Sequence, residues 1–357
     1  MTALPAGILP AAVDGRLLWA RLGLADLLRT AYHDGDPSCG VDAIGLRELL
    51  TAVDSAAPVG TTLAVCVQLA TALPLLTTGG REARSVLADA LAGDTVVALG
   101  ATDERGGSNL TAMGTELHLG DDAVVVHGTK RWITNATHCD HILVLARHRP
   151  GSHFTNFTWV LVPADAPGVH VEPADTDLFA GSGTGHVRLD HVQLGRENLV
   201  GGPGRGLLNF AAHIAVERLA GALWGVALCT RVLAGTRRAL TSAGRESPWR
   251  HDTVRQRFAT CLVLTRQLRA LTDELASRVT DQYDTTSAAM LKATAAMTVE
   301  TVTRECAHLQ GADGFARSGA QALSAQAALF GIGGGTTEVV LSIVSDAADA
   351  VIEELMT

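Results

Sequence analysis

The stretch Phe330–Val340, FGIGGGTTEVV, places four glycines, Gly331, Gly333, Gly334 and Gly335, within five residues. Backbone this rich in glycine either turns sharply or lies close against something, and phosphate is the first candidate. The nucleotide loops do not fit. A dinucleotide fingerprint needs GxGxxG between a strand and a helix. Gly331 and Gly333 supply two of its glycines, but position 336 is Thr and the preceding GAQALSAQAALF has helix character. A Walker loop needs Gly-Lys-Ser/Thr, and no Lys is present in the run. GGPGRG, residues 201–206, follows a loop-like ENLV and leads into a helix, so it fails the same test. Between Phe330 and Thr337 there is no Asp, Glu, His, Lys or Cys. The run therefore offers a conformation and no acid or base. The six cysteines contain no CxxC pair, which reads as reduced thiols in a cytoplasmic protein rather than a disulfide frame or zinc site.

These segments are positioned by three zones of different texture. From about Leu17 to Leu91 the chain is rich in Ala and Leu at helical spacing, interrupted by the loop DGDPSCG. From about Val96 to Leu207 it changes to short β-branched runs with period-two alternation, such as AVVVHGTKRWITN and FTWVLVPAD, which predicts an antiparallel barrel or sandwich. After GGPGRG helical texture returns, and Phe258, Leu262, Leu268, Leu271, Leu275 and Val279 line one face of a long helix suited to a bundle. The expected organisation is α+β: helical over residues 1–95, β over 96–207, and a helical bundle over 208–357. With 47% hydrophobic and 18% charged residues the 357-residue chain has a globular composition. Its net charge of −9 opposes a general attraction to nucleic acid or anionic membrane. No apolar stretch reads as a membrane span, and the amino terminus lacks the pattern of a signal peptide.

Four stretches taken in order carry more. TDERGGSN (Thr102–Asn109), GTKRWITN (Gly128–Asn135), QGADGF (Gln310–Phe315) and GGTTEV (Gly334–Val339) resemble the acyl-CoA dehydrogenase family. The family forms are approximately TEPxAGSD, GxKxWITN, a Gly-Gly segment ending in Gly-Phe or Gly-Tyr, and EGTxEI. ENLVG followed by a helix containing ERLAG fits as well. The resemblance implies a helical amino-terminal domain, a central β domain and a carboxyl-terminal four-helix bundle, with FAD extended between the last two at a subunit contact of a homodimer or homotetramer. Carried over residue by residue, it implies cofactor contacts from Thr102, Ser108, Trp132, Thr134, His308, Gly311, Thr336 and Glu338. Short hydroxyls suit flavin oxygens and phosphate, since they donate without adding charge. The sequence departs from the pattern at Asp103, Glu104, Arg105 and Asn109, at His308 where Gln is common, and at Ala312. The Arg-x-x-Phe-Gly clasp has only RESPW, residues 245–249, as its counterpart.

The chemistry implied is removal of a proton next to a thioester carbonyl by a carboxylate, with hydride passing from the neighbouring carbon to flavin N5. The acyl group is carried by CoA or a carrier protein, and a further electron acceptor is needed. The usual base is the Glu opening EGT, which is Gly334 here. Some relatives place the base on the first bundle helix beside an Arg. NFAAHIAVERLAG supplies Glu217 there, followed by Arg218, which with Gly334 is expected to face substrate. His213 lies four residues earlier on the same helical face and can tune the carboxylate. The expectation is an acyl-thioester dehydrogenase of a specialised biosynthetic pathway with Glu217 as base. The missing Glu keeps three alternatives: a flavin oxidase or hydroxylase, a non-oxidative thioester enzyme, or an inactive partner subunit.

Overall fold

The computed structural model describes residues 14–105, 107, 109–242, 247–316 and 319–356. They form two compact units, one of the residues up to Leu49 with Ala56–Glu217, the other of Leu50–Ser55 with the residues from Arg218 onward.

In the first unit, helices come first: α1 (Gly15–Leu24), α2 (Ala43–Ala56, shared with the second unit over its last residues), α3 (Val59–Val67), α4 (Leu73–Leu76) and α5 (Arg81–Ala92). Asp14 caps α1 by accepting from the Leu17 N–H at 2.7 Å, and Gly93 ends α5 in the left-handed conformation. Between α3 and α4 the helix widens into a π turn, Gln68–Ala72. Three bonds pin that turn. Tyr32 Oη donates to the Leu69 carbonyl at 2.7 Å, Gln68 Oε1 accepts from the Val97 N–H at 2.9 Å, and Thr71 donates to Glu217. The stretch Val59–Leu76 does reach the length and hydropathy of a membrane span, as does Gly206–Thr241, contrary to the sequence reading. Burial of 89% and 67% of their most apolar windows accounts for this composition, because both helices spend their apolar side chains on the protein core.

Among the described residues eight strands follow: β1 (Val97–Gly100), β2 (Glu116–Leu119), β3 (Ala123–Ile133), β4 (His141–Arg147), β5 (Phe157–Pro163), β6 (Val169–Pro173), β7 (Gly185–Gly195) and β8 (Leu199–Val200). Their order is β6-β7-β3-β2-β4-β5-β8, with β1 also on β4. The β1–β4 pair is parallel, so the sheet is mixed where the alternation predicted antiparallel pairing throughout. The parallel pair belongs to the half buried on both faces. There β4 and β5 are apolar almost without break, which gives period-two alternation nothing to report. Inward residues Val124, Val126, Ile142, Val144, Val160, Val162, Val187 and Leu189 make the core of the sheet, each worth about 1.5–3 kcal/mol of burial.

The β3–β7 ladder carries two bulges. Val126 pairs with Val192 and Gly128 with Leu189, so His127 alone faces both Asp190 and His191. Lys130 pairs with Val187 and Ile133 with Gly185, so Arg131 and Trp132 together face His186. One residue of each bulge lies at positive φ, His191 at 49° and Trp132 at 56°. Each bulge turns two successive side chains to the outer face, where a regular strand would alternate them.

The second unit contains the greater part of α6 (Gly206–Thr241), α7 (Asp252–Gln282) and α8 (Thr285–Gln310), followed by short helices α9 (Ala320–Ala327), α10 (Leu329–Ile332), α11 (Thr337–Asp346) and α12 (Ala348–Met356). In α7 the buried face is Phe258, Cys261, Thr265, Leu268, Thr272, Leu275 and Val279, spaced alternately three and four apart. Leu262, placed in the core from sequence, is 49% exposed, because the small residues Cys261, Thr265 and Thr272 take the inward positions. Asp54 is fully buried here. It accepts from Trp224 Nε1 at 2.9 Å and from Arg231 Nε at 2.7 Å, so its charge is paired and its remaining lone pairs are used.

Candidate active site

In the first unit the loop after β1 is fastened to β3. The Arg131 N–H donates to the Thr102 carbonyl at 3.2 Å, and Asp103 bridges to Lys130. Lys130 Nζ lies 3.4 Å from Asp103 Oδ2, and both side chains are essentially inaccessible to solvent. Asp103 also accepts from the N–H groups of Arg105, Gly114 and Thr115 at 3.0–3.1 Å and from the Thr115 hydroxyl at 2.6 Å. Burial opposes charge on Asp103, but Lys130 and these donors overcome it and hold the carboxyl down at about 2. Burial in turn pulls Lys130 down to about 8, with Asp103 opposing it. The Lys of GTKRWITN is thus a buried anchor.

Beyond the anchor, Trp132 stands 51% exposed on its bulge. Its N–H donates to His186 Nδ1 at 3.1 Å, and the two rings meet edge to face at 5.4 Å. The hydroxyls of Thr102 and Thr134, both half-buried, have no hydrogen-bond partner among the described residues. Two uncommitted hydroxyls and an exposed indole are a donor set and platform that fit a flavin ring. Asn135, which ends the motif, is fully buried at φ 70° and donates to the Ala64 carbonyl at 3.0 Å, a structural duty. Ser108 lies outside the described residues.

On α6, Glu217 Oε2 accepts a 2.8 Å hydrogen bond from the Thr71 hydroxyl. Thr71 is fully buried and belongs to the π turn, a helix irregularity that often marks functional positions. Nothing in the apolar sequence around Thr71 signalled this partner. The fully buried Cys66 feels the same carboxylate: burial first, then the Glu217 charge, pushes its thiol far above the ordinary range, so it stays protonated. Burial pulls His213 down to about 4, so its imidazole is neutral at pH 7 and has no positive charge to lend Glu217. This His lowers stability in acid. Below pH 6.5 the unfolded chain protonates His213 while the fold resists down to about 4, so stability falls with pH across that window. His213→Gln is expected to flatten this part of the acid stability profile, measured by urea unfolding between pH 7 and 4.

In the second unit, Arg218 is buried, and its Nε donates to the Gly334 carbonyl at 3.0 Å. Gly334 has φ 72° and Gly335 φ 100°, values that cost an L-residue about 1–2 kcal/mol. The glycine run is the bend between the α9–α10 rod and α11, which meet at 40°. Fully buried Trp224 packs on Phe330, ring centroids 4.8 Å apart, and buried Lys292 donates to the Phe330 carbonyl. Thr336 is the N-cap residue of α11 with a half-buried side chain that makes no capping bond, and Glu338 is exposed in the first turn. His308 is exposed in the last turn of α8, and Gly311 ends that helix at φ 57° with open space where a Cβ would project. Gln310 is committed elsewhere, donating to Thr236 Oγ1 at 2.8 Å and accepting from the Ala320 N–H.

A family model described as "Acyl-CoA dehydrogenase, middle domain" matches residues 98–192, and one described as "Acyl-CoA dehydrogenase, C-terminal domain" matches residues 204–348. The chain belongs to the acyl-CoA dehydrogenase family. Among relatives, the acyl-[acyl-carrier-protein] dehydrogenase MbtN of Mycobacterium sp. (strain MCS) is 30% identical over 276 residues, 74% of this chain and 69% of that protein. The acyl-CoA dehydrogenase AFT10-1 of Alternaria alternata is 25% identical over 311 residues, 78% of this chain and 69% of that protein. The solved structure described as "FAD complex of PigA" has the same fold, with a TM-score of 0.87 over 94% of this chain and 90% of that one at 17% identity. Within the acyl-CoA dehydrogenase pattern, the structure accommodates the departure at Asp103. A carboxylate one methylene shorter than the family's Glu still reaches Lys130.

Proposed function

We propose that this protein is an FAD-dependent dehydrogenase of acyl thioesters carried by CoA or an acyl carrier protein, with Glu217 as the base. The observation that carries the assignment of the base is the Thr71–Glu217 hydrogen bond, which aims a carboxylate on the first bundle helix. Gly334, at the family's usual base position, has a left-handed backbone that disfavours any side chain there. Thr102, Thr134 and Trp132 would hold the flavin ring, while Ser108, His308, Gly311, Thr336 and Glu338 are assigned to the rest of the cofactor. FAD, when bound, supplies the hydride acceptor. Glu217 takes the proton from the carbon next to the thioester carbonyl, a carboxylate role that needs desolvation rather than a charged neighbour. His213 is neutral at pH 7 and adds no positive charge to α6. Arg218 fixes the Gly334 carbonyl, and both residues are assigned to substrate binding.

The relatives named for acyl-CoA and acyl-carrier-protein substrates support the thioester reading. The same reading includes an electron acceptor partner, a homo-oligomer, and work in the cytoplasm within a biosynthetic pathway. Purified protein is expected to be yellow, and an accepted acyl thioester to bleach it without oxygen. A colourless protein that takes up no FAD overturns the proposal. Bleaching that needs a separate reductase, with oxygen uptake, would instead select the hydroxylase reading that Gly334 keeps open.

A further inference from the structure

The bulge on β7 has gathered three metal-binding groups. His127 faces Asp190 and His191 together, and all three side chains lie on the outer face. The Nδ1 atoms of His191 and His127 lie 2.9 Å and 3.9 Å from the same carboxylate oxygen, Asp190 Oδ1. The two imidazoles stack with centroids 4.3 Å apart, and one ligand atom from each residue falls within 4.8 Å of the others. In a tetrahedral site with bonds of about 2.0–2.1 Å, ligand atoms stand on the order of 3.4 Å apart. The observed separations from Asp190 bracket that value.

We propose that His127, Asp190 and His191 form an outer-face site for one divalent transition metal of zinc's class. Two imidazoles and one carboxylate favour Zn²⁺, Cu²⁺ or Ni²⁺ over the oxygen-seeking Mg²⁺ and Ca²⁺. The metal would stand between His191 Nδ1 and Asp190 Oδ1, in place of their direct contact at 2.9 Å. Asp190 Oδ2 keeps its contact with Arg188 Nη1 at 3.8 Å, so the second carboxylate oxygen is already occupied by a fixed charge. Three protein ligands leave the fourth tetrahedral position to water or an outside ligand. In a regular ladder Asp190 and His191 would point to opposite faces, so the bulge is what creates the site. Bound metal would tie β3 to β7 across it.

The test titrates ZnCl2 into the purified FAD-loaded protein by calorimetry, with MgCl2 as control. The variants are His127→Gln and His191→Asn, the latter chosen because Asn tolerates positive φ. The expected result is one zinc site in the wild type, weakened about tenfold or more in each variant, with the flavin spectrum unchanged and no heat from MgCl2. Equal zinc stoichiometry and affinity in wild type and both variants would assign any binding to other histidines and overturn the site. So would a wild type that binds no zinc.

Discussion

Glu217→Gln is expected to slow anaerobic bleaching of the flavin by an acyl thioester by about 10²–10⁴-fold while FAD stays bound, the range that a positioned general base contributes. The amide keeps the shape of the carboxylate and its bond from Thr71, and removes only the capacity to take a proton. Stopped-flow absorbance on the FAD-loaded variant reads the rate directly, and its visible spectrum reports cofactor retention. A rate equal to wild type would dismiss Glu217 as base and leave the flavin reading standing, so the two failures are separable. Thr71→Val should cost about tenfold, within what a charge-assisted hydrogen bond of about 1.5–3 kcal/mol supports, and Thr71→Ser should restore the rate. A purely structural role for Thr71 would not be rescued in rate without also being visible in unfolding.

The largest expected effect on stability is at Lys130. Lys130→Met strands Asp103, a carboxylate buried with its charge, and removing one partner of such a pair costs about 3–5 kcal/mol. For a unit of this size that is a fall of roughly 10 °C in unfolding midpoint, readable by calorimetry. The loss should extend to cofactor retention, because the Asp103–Lys130 anchor holds Thr102 beside the Trp132 strand. FAD-to-protein ratio after gel filtration measures that second effect. Asp103 also confers acid sensitivity. Its stabilising contribution is full above the ordinary value of 3.8 and lost as pH falls toward about 2. A variant within 1 kcal/mol of wild type would show that the anchor is dispensable.

The order α–β–α was legible because period 3.6 and period 2 are strong signals over long windows. The glycine run was legible as a place without acid or base, and Gly334 and Gly335 do occupy backbone that other residues avoid. What the sequence hid has one physical root, that partners distant along the chain leave no local trace. Asp103 and Lys130 are 27 residues apart, and Thr71 and Glu217 are 146 apart. The π turn sits in so uniformly apolar a stretch that no periodicity could expose it. Leu262 looked inward because it is a leucine, whereas the strict three-four spacing of Cys261, Thr265 and Thr272 decided the face. The bulges were hidden for a related reason. A doubled outward position can be recognised only once the opposing strand's register is known.

The paired bulges separate what the outer surface carries from what the core requires. Each strand of the ladder is 11 residues long and carries one residue more than its pairing requires. Excising His191 would rejoin Asp190 to Val192, and excising Trp132 would rejoin Arg131 to Ile133, with Leu189, Val192, Lys130 and Ile133 still facing inward. In register terms the aromatic platform and the imidazole cluster each rest on one extra residue, which adds a group to the outer surface without turning one apolar side chain out of the core.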